Sequence, residues 1–341
     1  MAQVDKRRKM GLFPRLVFNV TLKHIVPHQG RLGLLVGSLR AYQRSGLQSA
    51  VRKTGMLKLA PGNLADLEES LPKIPSGAFK ARGQSIPAQG QPRARVAILS
   101  GCIMPLVHGP QMDAVTRVLA RNGCEVVVPD GQVCCGAINT HVGDLDTARG
   151  LARRNIDAFS ETSVDAIVVA SAGCGSRMAE YDHLLKDDPE YLERARRFSG
   201  MVRDVHQFLY ELPLDPPTAS LDYRVTYQDS CHLSNGLRVT GPPRELLKSI
   251  PGVELVELAN AGICCGAGGT YTISERDFSL KVLDSKMNAV RETGADIVAT
   301  ANPGCVLQLQ FGTQREGLAT QVRYVVDLLD EAYRAETSTG S

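Results

Sequence analysis

Eight cysteines carry the chemistry that this sequence can do. Cys102, the adjacent pair Cys134 and Cys135, and Cys174 form one set, and Cys231, the pair Cys264 and Cys265, and Cys305 form another. Corresponding members lie 129, 130, 130 and 131 residues apart, a fixed period that marks an internal duplication. Each set reads Cys-x31/32-Cys-Cys-Gly and closes, further on, with Gly-Cys. Four thiolates are the usual donors of an iron–sulfur cluster and also serve structural zinc. All eight are therefore expected to be metal ligands, with one cluster of the [4Fe–4S] kind per set and zinc as the alternative. Adjacent cysteines on a regular strand would point to opposite faces, so the chain must turn sharply at each pair. Gly136 and Gly266, directly after the pairs, permit that turn. Gly173 and Gly304, directly before the last cysteines, are expected to bring backbone N–H groups close to cluster sulfides, and such hydrogen bonds help set a cluster's potential.

Other candidates are thin. Cys124 stands alone between helix and strand patterns and reads as an apolar filler. His232, next to Cys231, is a candidate hydrogen-bond donor behind the thiolate, while His108, His141 and His206 receive no role. Arg177 and Tyr271 stand near ligand positions and are candidates for shaping charge there. The run Gly266-Ala267-Gly268-Gly269-Thr270 lacks both the lysine of a phosphate-binding loop and the spacing of a dinucleotide fingerprint. Trp is absent and aromatics are 5%, which argues against stacked nucleic-acid binding.

The elements that must position the thiols alternate. Residues 95–99, 124–129 and 166–170 are short apolar strand patterns, each followed by cysteines, with helices expected over 111–122 and 144–160. The second copy repeats the order with strands at 225–228, 253–258 and 297–300. Such alternation implies two duplicated α/β units of Rossmann-like or flavodoxin-like parallel sheet with right-handed crossovers. Every ligand cysteine then falls just past a strand's carboxyl end, where open α/β sheets place their sites. We expect a basic helical arm at 1–60, with helices around Leu16–Val26 and over 32–47, and an irregular connector at 61–93. The two cysteine-rich domains are expected at 94–211 and 221–335, with a linker at 212–220 and a tail at 336–341.

A length of 341 residues, 43% apolar and 22% charged, suits an ordinary globular protein of two or three domains. No apolar run approaches the roughly 18–20 residues of a membrane span, and no secretory signal is visible. Clustered cysteines without an export signal point to metal or redox chemistry in a reducing cytoplasm. The net charge of +3 hides an asymmetry: residues 1–95 hold 17 Lys and Arg against 4 Asp and Glu, and the remainder 22 against 32. A basic arm on an acidic body suggests docking to an acidic partner or peripherally to an anionic membrane surface. Because no expected ligand precedes Cys102, removing residues 1–60 is expected to leave both sites intact.

The pattern Cys-x31–39-Cys-Cys-Gly-x35–39-Cys, present twice, resembles the cysteine-rich CCG domain of heterodisulfide reductase B-type subunits. The wording Leu99-Ser100-Gly101-Cys102, Ser171-Ala172-Gly173-Cys174-Gly175, Cys264-Cys265-Gly266-Ala267-Gly268-Gly269-Thr270-Tyr271, Lys286-Met287-Asn288 and Ala301-Asn302-Pro303-Gly304-Cys305 is similar to the glycolate oxidase iron–sulfur subunit. That resemblance implies an electron-transfer subunit of an oxidoreductase complex, not catalytic alone, relaying electrons from an FAD-containing 2-hydroxy-acid dehydrogenase subunit toward the respiratory chain. The family normally opens with a ferredoxin-like domain, so the chain is expected to be a carboxyl-terminal piece or to work with a separate ferredoxin-like subunit. Heterodisulfide reductase subunits supply a fifth thiol through Cys-x-x-Cys, where this chain has Arg177 and Gln308. This counts against the alternative of a thiol–disulfide oxidoreductase. A non-redox zinc scaffold is the other alternative.

Overall fold

The computed structural model describes residues 20–59, 64–269 and 271–339. The first part of the expected arm, including Leu16 and Phe18, lies outside the described residues. A π-helical turn at Thr21–Ile25 leads to helices Gln29–Arg44 (α1) and Leu47–Thr54 (α2). The helix expected over 32–47 is thus placed three residues earlier, because extended His28 opens it and left-handed Gly46, at φ +80°, ends it. The connector is also more ordered than its composition suggests, with a helix at Leu64–Glu69 and a strand at Ser85–Ile86 (β1).

The arm is joined to the body by apolar contact. Val26, Leu32 and Val36 are buried in one cluster with Cys102, Val133, Cys134 and Leu151. The Gln29 side-chain amide donates to the Gly101 carbonyl, and Arg82 donates to the Gln29 side-chain oxygen. Farther along, the Arg52 guanidinium holds Glu68 at 2.9 Å, and Gln43 is bonded to the backbone of Pro72 and Ile74. The arm therefore packs on the body as a cover over the first cysteine loops.

Both copies are open sheets built alike. The first contains Ala94–Ile98 (β2), Cys124–Val127 (β3), Ala166–Val169 (β4) and Val202–Asp204 (β5) in the order β1-β3-β2-β4-β5, parallel except for β1 on β3. The second contains Tyr223–Gln228 (β6), Val253–Val256 (β7), Ile297–Thr300 (β8) and Gln321–Tyr324 (β9) in the order β7-β6-β8-β9, all parallel. Ignoring β1, each copy runs second, first, third, fourth strand, as flavodoxin-like sheets begin. The strand period of two sorts the first sheet's side chains. Val96 and Ile98 face one apolar core, and Ala97 and Leu99 face another.

Helices Gly109–Arg121 (α3), Leu145–Ser160 (α4), Ala172–Met178 (α5) and Val205–Glu211 (α6) serve the first copy. In the second, Gly241–Lys248 (α7), Arg276–Thr293 (α8), Pro303–Arg315 (α9) and Val325–Thr339 (α10) stand at the corresponding points. The copies exchange contacts: α10 packs on α3, and α6 packs on α7. Arg117 clasps Asp330 with two bonds of 2.8 Å, and the Tyr333 hydroxyl donates to the Asp215 carbonyl at 2.6 Å. The largest core accordingly runs unbroken from Val96 and Val126 to Val225, Ile297 and Leu328. α10 continues to Thr339, so most of the expected tail is helix. Among the described residues no helix is long and apolar enough to cross a membrane.

Candidate metal centre

The loops bearing the eight cysteines leave the carboxyl ends of β2, β3, β4, β6, β7 and β8. Cys174 and Cys305 sit in the first turns of α5 and α9, and Cys231 precedes a π-helical turn at His232–Gly236. Because the two sheets present these edges to each other, all eight cysteines line one cavity of about 450 Å³ between the copies. The expected sets of four are both assembled, and they share a single space.

In the first quartet the Cys102 and Cys134 sulfurs are 3.5 Å apart, and hydrogen bonds continue through Cys135 to Cys174. The second repeats the chain from Cys231 through Cys264 and Cys265 to Cys305. The first cysteine of each pair is the acceptor. Hydrogen bonds from Cys102 and Cys135 pull the Cys134 thiol well below the usual thiol range, and those from Cys231 and Cys265 lower Cys264. Donating to these neighbours pushes Cys102, Cys135, Cys231 and Cys265 up, with burial adding to the effect. Backbone N–H groups support the acceptors, Gly136 at 3.5 Å from the Cys134 sulfur and Gly266 at 3.3 Å from that of Cys264. These two glycines take φ +79° and +92°, the sharp turn that their place after the pairs requires.

Among the described residues no three His, Cys, Asp or Glu side chains converge on one point as the ligands of a single ion do. The sulfurs of each quartet follow one another along the cavity wall. Four thiols from three loops are the donor set of an iron–sulfur cluster and also of structural zinc.

The Gly173 N–H goes to Asn302 Oδ1 at 3.1 Å, so it is not aimed at a sulfur as its place suggested. Asn302 Nδ2 in turn lies 3.7 Å from the Cys305 sulfur, and a side chain on Gly304 would press on that amide at 3.3 Å. Asn302 thus ties the end of the first quartet to the end of the second, beside the Ala172 N–H to Ala301 carbonyl bond of 3.4 Å. His232 Nδ1 is 3.6 Å from the Cys231 sulfur, which suits a donor behind the thiolate. Its Nε2 meets Nε2 of His141, from the other copy, at 3.4 Å. Both imidazoles line the cavity, and burial lowers both pKa values, with nearby Arg177 adding to the shift. His141 was assigned no role from sequence; only the meeting of the two copies reveals it.

At the two positions where a fifth thiol could stand, Arg177 pairs with Glu180, and Gln308 donates to Ser279 Oγ at 3.1 Å. Ser279 passes the support on, donating to the Gly266 carbonyl at 2.8 Å. Tyr271 sets its side chain against Gly268. Cys124 is fully buried in the core, and burial pushes its thiol up to about 11, as befits a filler. His206 is bonded to Asp204 at 2.7 Å and buried, and His108 packs edge-on to Tyr324. Neither lines the cysteine cavity.

A Cβ on Gly266 would lie 2.5 Å from the Ser279 carbonyl oxygen, whereas one on Gly136 would meet Ala148 at a milder 3.3 Å. Gly266→Ala is therefore expected to destabilise by about 2 kcal/mol or more, between strain and clash, and Gly136→Ala by less. Thermal unfolding of the two variants side by side checks the order.

Paired units of this construction, with adjacent cysteines and glycine at the edge of each sheet, define a class. The cysteine-rich CCG domain matches residues 96–179 and 225–310. Residues 13–71 match the linker region of the glycolate oxidase iron–sulfur subunit. The chain belongs to the glycolate oxidase iron–sulfur subunit family. It is 44% identical, over 98% of its length and 77% of the relative's, to a probable glycolate oxidase iron–sulfur subunit of Bacillus subtilis. It is 30% identical to lactate utilization protein A of Bacillus licheniformis, over 69% of this chain and 99% of that one. It is also 34% identical to one of the subunits of the fumarate reductase (CoM/CoB) of Methanothermobacter marburgensis, over 79% of this chain and 52% of that one.

Proposed function

We propose that this chain is the iron–sulfur electron-transfer subunit of a complex that oxidises a 2-hydroxy acid, with glycolate as the substrate and a flavoprotein subunit as the electron donor. In this reading Cys102, Cys134, Cys135 and Cys174 hold one iron–sulfur cluster and Cys231, Cys264, Cys265 and Cys305 a second. The observation that carries it is the gathering of eight thiols, in two like quartets, around one cavity between the copies. Two of the relatives are named for 2-hydroxy acids, glycolate and lactate, which supports that substrate class.

When bound, such a group supplies reversible one-electron oxidation and reduction. The chain's own part is to hold, insulate and connect. Three strand ends fix each quartet, and the left-handed glycines aim N–H groups at the acceptor sulfurs. Gln308 and Ser279 brace the second pair's loop, while Val26, Leu32 and Val36 exclude water from the first. Asn302 and the two histidines lock the quartets face to face.

Protein purified without oxygen is expected to be brown, to bleach on addition of dithionite and to regain its colour on reoxidation. Absorption spectra through one such cycle check this. Colour that does not respond to reductant would end the electron-transfer reading.

A further inference from the structure

The duplication makes the two centres alike in sulfur but unlike in charge. Helices α4 and α8 occupy the same place in the two copies and begin 131 residues apart, the offset that relates Cys174 to Cys305. In that register Asn155 of the first copy corresponds to Lys286 of the second. Asn155 is fully buried and neutral. It accepts from the Val133 N–H at 2.9 Å and donates to the Cys134 carbonyl and the Tyr181 hydroxyl, both at 3.1 Å. Lys286 is 1% exposed, and its ammonium donates to the carbonyl and, at 2.8 Å, the side-chain oxygen of Asn260, just before the second cysteine pair.

No carboxylate pairs with Lys286 among the described residues. The nearby Asp229 is taken by Arg244 through two bonds of 2.9 Å. Burial lowers the Lys286 pKa to about 8, opposed by the pull of Cys265, Cys264, Asp229 and Cys305, so it keeps its proton at neutral pH. Arg177, beside the first quartet, is partly exposed and pairs with Glu180. At the first pair Arg82 donates to the Gln132 carbonyl, but it is only half-buried and lies near Asp130. Among the described residues Lys286 is the one fully buried cation at either quartet.

We propose that Lys286 sets a difference in reduction potential between the two centres, making the second the easier to reduce, so that electrons entering the chain settle there. This rests on the function proposed above. A fixed charge in a weakly screening interior stabilises an added electron nearby, and net charge is among the quantities that set cluster potentials. Lys286 does not touch a substrate. It acts through the second centre, whose cysteines it influences electrostatically.

The test is a potentiometric titration of the full chain, followed by visible absorption and electron paramagnetic resonance. The wild type is compared with Lys286→Met, Lys286→Gln and Lys286→Arg, each also made in a Cys135→Ser background to isolate the second centre. Gln keeps a donor to Asn260 but drops the charge, and Arg keeps the charge. With Met and Gln, the equilibrium constant for an electron passing from first centre to second is expected to fall at least tenfold, which is 59 mV for one electron. The first centre should not move, and Arg should restore most of the difference. Met and Gln variants whose second centre stays within twofold of wild type would overturn the proposal. So would selective loss of iron from the second quartet in both, since Lys286 would then be a structural tie for the Asn260 loop. A wild type without reversible reduction would count against the functional reading itself, before any variant is made.

Discussion

Cys135→Ser is expected to strip the iron from the first quartet while leaving the second loaded, and Cys265→Ser to do the reverse. Each of these cysteines sits in the middle of its row of sulfurs, 3% and 2% exposed, hydrogen-bonded to thiols on both sides. A hydroxyl there is a far poorer ligand and leaves a gap that neither neighbour can close. The loops of one quartet come from a different sheet than those of the other, so each loss should be about half of the iron, and the double variant should sum the singles. The shared cavity makes this a sharp experiment. Loss of all iron from either single variant would show one common site instead of two.

Removal of residues 1–59 should cost the first centre and spare the second. Charge alone suggested a detachable docking arm, but the apolar contacts argue otherwise: Leu32 and Val36, 4% and 7% exposed, share a cluster with Cys102 and Cys134. Without that cover, the first quartet meets water and chelators, while among the described residues no arm residue belongs to the apolar cores around the second. Leu32→Asp, which places a carboxylate in the same cluster without shortening the chain, should act in the same direction, since an unpaired buried charge is strongly disfavoured. Iron retention after a timed exposure to chelator, resolved by quartet in the Cys135→Ser and Cys265→Ser backgrounds, measures both. Equal retention with and without the arm would return it to the role of a docking extension. The exposed face of the arm still carries Leu34 and Leu35, 76% and 53% exposed, so covering the site and meeting a partner are compatible.

Much of this architecture was legible in the residues because duplication printed it twice. Strands β2, β3, β4 and β8 are mostly buried apolar runs, all six strands expected from the sequence lead into the cysteine loops, and the glycines after each pair announce the turn. β5 and β9 were not seen. They are three and four residues long, carry Arg203 and Arg323 in their middles and run straight into helices without a turn signal. The facing of the two quartets was equally out of reach, because it depends on α10 packing on α3 and α6 on α7, contacts between copies that leave no periodic trace. For the same reason His141 passed unnoticed until His232 met it from the other side. Lys286 stood in a recognisable stretch, but only the register of α4 and α8 shows that its counterpart is the uncharged Asn155.

The central claim is that two quartets of thiols each hold an iron–sulfur cluster. Metal and acid-labile sulfide analysis of the anaerobically purified full chain tests it most directly. The account predicts about eight iron and eight sulfide per chain, as two [4Fe–4S] groups require, with both falling to near zero in the Cys135→Ser/Cys265→Ser double variant. Stoichiometric zinc without sulfide, in a colourless protein, would contradict it.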